Sequence, residues 1–129
     1  SKDSSFGTNG LVTTDVASGA DTARSLALQS DGKYIVAGEA FNGSSYDFAV
    51  VRYNSNGTLD TTFNGTGKAT VDMSSNSLDQ GYAVRVQSDG KIVITGFTNA
   101  NGTADIAVVR LLANGALDTS FNTTGKLIT

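Results

Sequence analysis

One stretch of ten residues occurs twice in this chain and constrains its fold more than any other feature. Residues 29–38 read QSDGKYIVAG, and residues 87–96 read QSDGKIVITG, about 58 positions later. In each copy Asp-Gly separates two apolar runs and supplies the positive φ angles that a two-residue hairpin turn needs. The chain therefore predicts two β-hairpins at corresponding places of a duplicated unit.

The rest of the chain follows the same period. A loop of the form Asp-x-Ser/Thr-Phe begins at Asp3, Asp60 and Asp118, which divides a single domain, 1–129, into repeats 3–59 and 60–117 and a partial repeat 118–129. Short apolar or alternating runs predict strands. They are 11–16, 23–30, 34–37 and 48–53 in the first repeat, 70–73, 82–87, 92–95 and 106–112 in the second, and 126–129 at the end.

Four strands in fewer than sixty residues favour a propeller blade over a solenoid coil. Solenoid coils take about 20–30 residues, whereas four-stranded propeller blades take about 40–50. Gly, Asn and Asp supply the turns, because the chain has no Pro. The predicted fold class is all-β, with two tandem four-stranded antiparallel repeats of about 58 residues, propeller-blade-like, plus an extra terminal strand.

Composition excludes several functions. The chain has no His, no Cys and one Glu, Glu39, so most acid–base, thiol and metal-assisted catalysis lacks its usual residues, and we predict that it is not an enzyme. The net charge of −3 argues against a nucleic-acid partner. No apolar run approaches the roughly 20 residues of a membrane helix, so no membrane span is predicted.

Four motifs of the first repeat together resemble a known family. They are the start at 3–10, the Asp-Gly-Lys hairpin at 31–33, the strand at 47–52 and the close at 56–60. This set is similar to the delta-60 repeat, a bacterial β-propeller-like repeat, over nearly the whole chain. The resemblance implies a propeller-like fold and an extracellular or cell-surface location, but no known reaction. Asn64 and Asn122 depart from the pattern, which has glycine there.

Two repeats are too few to close a propeller, which has about 4–8 blades. The first strand of the unit is present at both ends, through Leu11 and Val12 and again through Leu127 and Ile128. Unpaired strand edges are templates for another chain. We therefore predict a structural subunit whose partner is itself, joined through sheet edges and strand addition as a ring of about three copies or a filament. A fragment of a longer surface protein and a two-sheet sandwich, completed by the terminal strand, are the alternatives.

Other candidate sites are weaker. Loops 39–46 and 97–104 are the surfaces of an alternative function, a cell-surface module that binds protein or glycan. Asn42 and Asn101 are the best placed of five N-glycosylation sequons. We predict no cofactor. Ca²⁺ is the one alternative considered, because aspartate oxygens can bind it, but the positions of these aspartates favour a role in capping turns. The candidates are Asp31, Asp47, Asp60, Asp89, Asp105 and Asp118. Arg52 and Arg110 are expected to pair with the aspartates of the Asp60 and Asp118 turns.

Overall fold

The computed structural model describes the whole chain, residues 1–129, and contains eight β-strands. They are β1 (Asp21–Leu28), β2 (Tyr34–Phe41), β3 (Tyr46–Tyr53), β4 (Lys68–Val71), β5 (Asp79–Val86), β6 (Ile92–Thr98), β7 (Asp105–Leu111) and β8 (Lys126–Ile128). None of the secondary structure is helical, so no helix is long and apolar enough to cross a membrane. The all-β fold class is confirmed.

The strands form two antiparallel four-stranded sheets, each in simple sequence order. Sheet 1 is β1-β2-β3-β4 and sheet 2 is β5-β6-β7-β8. Strand β4 belongs to the second sequence repeat but pairs with β3 of the first. Each sheet therefore consists of three strands from one repeat and a fourth strand from the beginning of the next. The predicted terminal strand is present as β8, which pairs with β7 and completes sheet 2.

The predicted strand at 11–16 is wrong. Only Leu11 makes a β-bridge there, to Gly7 and Thr8 of its own loop. The equivalent segments of the later repeats, β4 and β8, pair with β3 and β7, which precede them in the chain. Residues 11–16 have no such sheet before them, and a strand without a neighbour has no partner for its backbone groups. The segment therefore forms no strand.

Two local predictions also need correction. The hairpin after β1 is not a two-residue turn, because Gln29 N–H donates to the Lys33 carbonyl and only Gly32 has a positive φ, of 83°. Asp31 instead caps the turn by accepting the Lys33 N–H at 3.1 Å. Strands β2 and β3 are longer than expected, so the loop predicted at 39–46 is confined to 42–45, and Glu39 lies in a strand.

The two sheets pack on each other through alternate residues of each strand. Ile35, Phe48 and Val50 of sheet 1 are buried against sheet 2, where Val84, Ile94 and Val109 are fully buried. Strand β5 packs against β1, β2 and β3. Because side chains alternate along a strand, the intervening residues of both sheets point away from this single core.

A repeated ion pair closes each unit, as expected from the sequence. Arg52 Nε donates to Asp60 Oδ2 at 2.7 Å, and Arg110 Nε donates to Asp118 Oδ2 at the same distance. The Arg52 guanidinium also lies 4.8 Å from the centre of the Phe63 ring and donates to the Ala113 carbonyl in the turn that follows β7 of sheet 2. Arg52 therefore holds its own turn closed and links the two sheets.

Asn64 and Asn122, which replace Gly after Phe63 and Phe121, keep the backbone conformation of the equivalent Gly7. Gly7, Asn64 and Asn122 all adopt left-handed backbone, with φ of 57°, 51° and 48°. Asn tolerates this conformation better than most residues. The departure from the pattern at these positions therefore leaves the left-handed φ of that residue unaltered.

Phe63 and Phe121 offer a matched test of the packing between sheets. Phe63 is 0% exposed and lies in the core, whereas Phe121 occupies the equivalent place at the end of sheet 2 and is half-buried. We expect Phe63→Ala to lower the free energy of unfolding by about 3–5 kcal/mol, because it leaves a cavity in the core. Phe121→Ala should cost less than half as much in the same urea titration. Equal losses would contradict this account of the core.

The aspartates of the closing turns should make the fold sensitive to acid. Burial raises the pKa of Asp60, but hydrogen bonds from Lys33 and Thr62 and the charge of Arg52 outweigh it and hold the pKa well below its ordinary value. The Ser120 hydrogen bonds, opposed by burial and helped by Lys91 and Arg110, likewise lower the pKa of Asp118. Both carboxylates are therefore ionised in the folded chain at pH values where the unfolded chain takes up protons.

We expect the free energy of unfolding to fall as the pH drops below about 4, the ordinary pKa of aspartate. The stability contributed by the two depressed pKa values is present above that pH and is lost towards the folded-state pKa. Urea titrations between pH 7 and pH 2.5 measure this slope. Asp60→Asn with Asp118→Asn should be less stable at pH 7 and should show a shallower slope in acid; an unchanged slope would refute the assignment.

Candidate functional site

One face of sheet 1 is apolar and has no sheet packed on it. We call it the front face; it consists of Leu26, Leu28, Tyr34, Val36 and Tyr53. Leu26 is 56% exposed, whereas its counterpart in sheet 2, Val84, is 0% exposed. The remaining front-face residues correspond in the same way to Val86, Ile92, Ile94 and Leu111, of which the last three are fully buried against sheet 1.

The opposite face of sheet 2 is also without a neighbouring sheet. We call it the back face; it consists of Val93, Thr95, Ile106, Val108 and Arg110. Ile106 is 63% exposed, although its counterpart Phe48 is fully buried between the sheets. The residues equivalent to the front and back faces in the other repeat are thus the ones that form the contact between sheet 1 and sheet 2.

Arg110 shows the same difference. It repeats the contacts of Arg52 with its own turn, through Asp118 at 2.7 Å and Ser120 at 3.3 Å, and it stacks on Phe121. Arg52 additionally donates from Nη1 to a carbonyl of the next sheet, at 2.6 Å. Arg110 makes no such bond, because no further sheet lies beyond sheet 2.

Residues 3–16 lie along one side of the front face, as residues 60–73 lie along sheet 2. Gly7 N–H donates to the Asn56 carbonyl at 2.8 Å, and the equivalent Asn64 N–H donates to the Asn114 carbonyl at 2.7 Å. Lys68 Nζ donates to the Asp15 carbonyl, as Lys126 Nζ does to the Asp72 carbonyl. Two shallow grooves, lined mainly by apolar residues, remain between this segment and the front face.

The residues predicted to form assembly strands differ in their state. Leu127 and Ile128 lie in β8, paired with Val108 and Ala107 of β7. Leu11 is exposed and Val12 is half-buried, and both belong to the unpaired segment. Of the two copies of the first strand, the one at 126–128 is therefore paired in a sheet and the one at 11–16 is not.

The aspartates considered for Ca²⁺ have separate roles. Asp31 and Asp89 cap the hairpins through the backbone of Lys33 and Lys91, and Asp60 and Asp118 pair with arginine. Asp105 accepts from Asn101 at 3.0 Å.

Only Asp47 of the six aspartates joins a cluster of acids, with Asp72 and Asp79. The sequence analysis missed the latter two. The available signal was their recurrence, since Asp15 and Asp21 occupy the same positions before sheet 1. Burial raises the pKa of Asp47, a hydrogen bond from Asn42 lowers it, and the charges of Asp72 and Asp79 raise it further.

The predicted glycosylation residues lie at exposed loop tips. The loop 42–45 links β2 to β3. The second loop, predicted at 97–104, is confined to 99–104 between β6 and β7, because Phe97 and Thr98 belong to β6. Asn42 Nδ2 donates to Asp47 Oδ2 at 2.9 Å, and Asn101 Nδ2 donates to Asp105 Oδ2 at 3.0 Å. A glycan would be attached through these same nitrogen atoms, so modification would change both contacts.

Comparison with known proteins identifies the repeat. A search of curated proteins found no relative. The family model described as a domain of unknown function (DUF5122) beta-propeller matches residues 29–63 and again 87–121, which together make up more than half of the chain. The matched segments contain the β2–β3 hairpin and its closing turn in sheet 1 and the equivalent β6–β7 hairpin and turn in sheet 2. The chain therefore belongs to the DUF5122 beta-propeller family, with two copies of its repeat.

Proposed function

We propose that this protein is a non-enzymatic structural subunit that assembles with further copies of itself. In this assembly the back face of one copy packs on the front face of the next, so that the stack of sheets continues across the junction. The chain itself supplies the template, because the contact between sheets 1 and 2 uses the corresponding residues of the two repeats.

The observation that carries the proposal is the matched exposure of the two faces. Ile106 and Leu26 are each more than half exposed, whereas Phe48 and Val84, their counterparts between the sheets, are fully buried. Burial of such side chains contributes about 1.5–3 kcal/mol each. Exposed apolar faces of this kind mark interaction surfaces. Arg110 offers a second match, since the equivalent Arg52 binds a carbonyl of the next sheet.

Different surfaces meet in this contact, so it is heterologous and propagates from copy to copy. The rotation between successive sheets decides whether the stack closes as a ring of about three copies, with six blades, or continues as a filament. Electron microscopy of the assembled material distinguishes the two forms.

Strand exchange accompanies the stacking in this proposal. When one copy packs on the next, its residues 118–129 and residues 3–16 of the next copy compete for the same position on sheet 1 of that next copy. One of the two segments must therefore be displaced. Strand β8 has only three residues, all half-buried, and the segment 11–16 is unpaired, so either replacement breaks few backbone hydrogen bonds.

Three further assignments belong to the proposal. The absence of His and Cys, and a single Glu that is paired with Arg24, support a role without catalysis. The start, hairpin, strand and closing motifs support the assignment to the delta-60 repeat. An extracellular or cell-surface location is what that resemblance implies, and fractionation of the source cells tests it.

Paired face variants test the assembly. We expect the isolated chain to form species larger than a monomer in sedimentation velocity, increasingly so between about 1 and 200 µM. Leu26→Asp alters the front face and Ile106→Asp alters the back face, and each variant alone should stay monomeric. A mixture of the two should form a 1:1 dimer and stop there, because each variant retains one intact face.

Ala104→Asp is the matched control. It adds the same charge at an exposed residue of the loop 99–104 that belongs to neither the front-face nor the back-face residues, and should assemble as the unaltered chain does. A chain that stays monomeric at 200 µM, or face variants that assemble normally, would refute the proposal. A monomer that binds a protein or glycan in a screen, and loses this binding when loops 42–45 and 99–104 are altered, would instead support the alternative binding module.

A further inference from the structure

The buried carboxylates of this chain fall into two groups according to their partners. The buried acids are Glu39, Asp47, Asp60, Asp79 and Asp118. Glu39 pairs with Arg24, and Asp60 and Asp118 each pair with one arginine and one lysine. Asp47 and Asp79 form no ion pair with any lysine or arginine, and these two lie together.

A third carboxylate, that of Asp72, completes the cluster. One oxygen from each of Asp47, Asp72 and Asp79 lies within 4.8 Å of the other two. Asp47 is the second residue of β3, Asp72 directly follows β4, and Asp79 begins β5. The cluster therefore stands where the chain leaves sheet 1 and enters sheet 2.

Hydrogen bonds within the cluster are incomplete. Asp79 accepts from Met73 N–H at 2.8 Å and from the hydroxyls of Ser77 and Thr98 at 3.0 and 2.6 Å. Asp47 is only 7% exposed, and its Oδ1 atom is buried without any hydrogen-bond donor. A buried carboxylate oxygen that has neither a donor nor a cation is costly. Two neighbouring carboxylates increase that cost, so the cluster lacks a positive partner.

We propose that Asp47, Asp72 and Asp79 bind a calcium ion at the junction of the two sheets. Calcium prefers carboxylate, hydroxyl and carbonyl oxygens and accepts an irregular set of six to eight of them. Ser77, whose hydroxyl donates to Asp79 Oδ2, lies beside the carboxylates and adds a neutral oxygen. Bound there, the ion ties β3 of sheet 1 to the segment that leads into β5. This inference concerns the single chain and does not depend on self-assembly.

Calcium titration of the full chain tests the site. After treatment with EDTA and removal of the chelator, CaCl₂ should bind with a stoichiometry of one in isothermal titration calorimetry. The melting temperature should rise by about 10 °C at a calcium concentration 100-fold above Kd. MgCl₂ should raise it much less, because Mg²⁺ requires regular octahedral geometry and sheds water reluctantly. An equal response to MgCl₂ would overturn the choice of calcium.

Charge-neutral variants connect the response to the cluster. Asp47→Asn and Asp72→Asn should weaken calcium binding at least tenfold and abolish the rise in melting temperature. In EDTA, Asp47→Asn should melt at or above the temperature of the unaltered chain, because it removes a like charge from the cluster. That second readout also shows that the variant folds. Asp105→Asn, at the position equivalent to Asp47 but outside any acidic cluster, should bind calcium as before.

Two further results would overturn the proposal. One is the absence of both binding heat and a melting shift at 10 mM CaCl₂, which would mean that a shared proton satisfies the cluster instead. The other is a calcium response that persists in both Asp47→Asn and Asp72→Asn.

Discussion

Each sheet of this protein has apolar side chains on both of its faces, and a pair of sheets can bury only one face of each. Strand β3 shows the constraint within four residues, since Phe48 and Val50 point into the shared core while Ala49 and Val51 point towards the front face. A sheet that is apolar on both faces requires a neighbour on each side. Within the chain, one face of each sheet is covered by the other sheet, and the front face of sheet 1 and the back face of sheet 2 have no sheet packed on them.

The repeated loops determine the direction in which the sheets follow one another. The loops that begin at Asp60 and Asp118 each close one unit through an Arg–Asp pair. The backbone of the Asp60 loop is also bonded to the Asn-Gly turn of the following unit, and that of the Asp3 loop to the Asn-Gly turn of the first unit. Residues 3–16 are bound to sheet 1 in this way although no sheet precedes them. They therefore occupy part of the surface that a preceding sheet would cover, and they explain how the front face is partly protected in the isolated chain.

The junction between the sheets combines the apolar core with a cluster of charge. Phe63 and Arg52 stabilise one end of the junction, where an aromatic ring, a guanidinium and a carboxylate satisfy one another. At the other end three carboxylates meet without a lysine or arginine. The two ends differ because the turn after β3 carries the repeated arginine partner, whereas the connection between β4 and β5 contains only acidic and neutral side chains.

Much of the fold followed from the sequence, because the signals that determine it are local. Short apolar or alternating runs placed all eight strands, the period of about 58 residues placed the turns, and the position of Arg52 predicted its pairing with Asp60. Pairing between distant segments decided the rest. The run at 11–16 has the sequence of a strand but no neighbour, and β4 joins the sheet of the preceding repeat.

The candidate sites were likewise predictable from the sequence only in part. The sequence alone determined that two repeats leave apolar surface uncovered, since the count of repeats and their composition suffice for that argument. Only the tertiary structure decided that the uncovered surfaces are opposite faces of the two sheets. It alone also brought Asp47 to Asp72 and Asp79, because neither the residues that separate them nor any single motif specifies which carboxylates meet when two sheets pack.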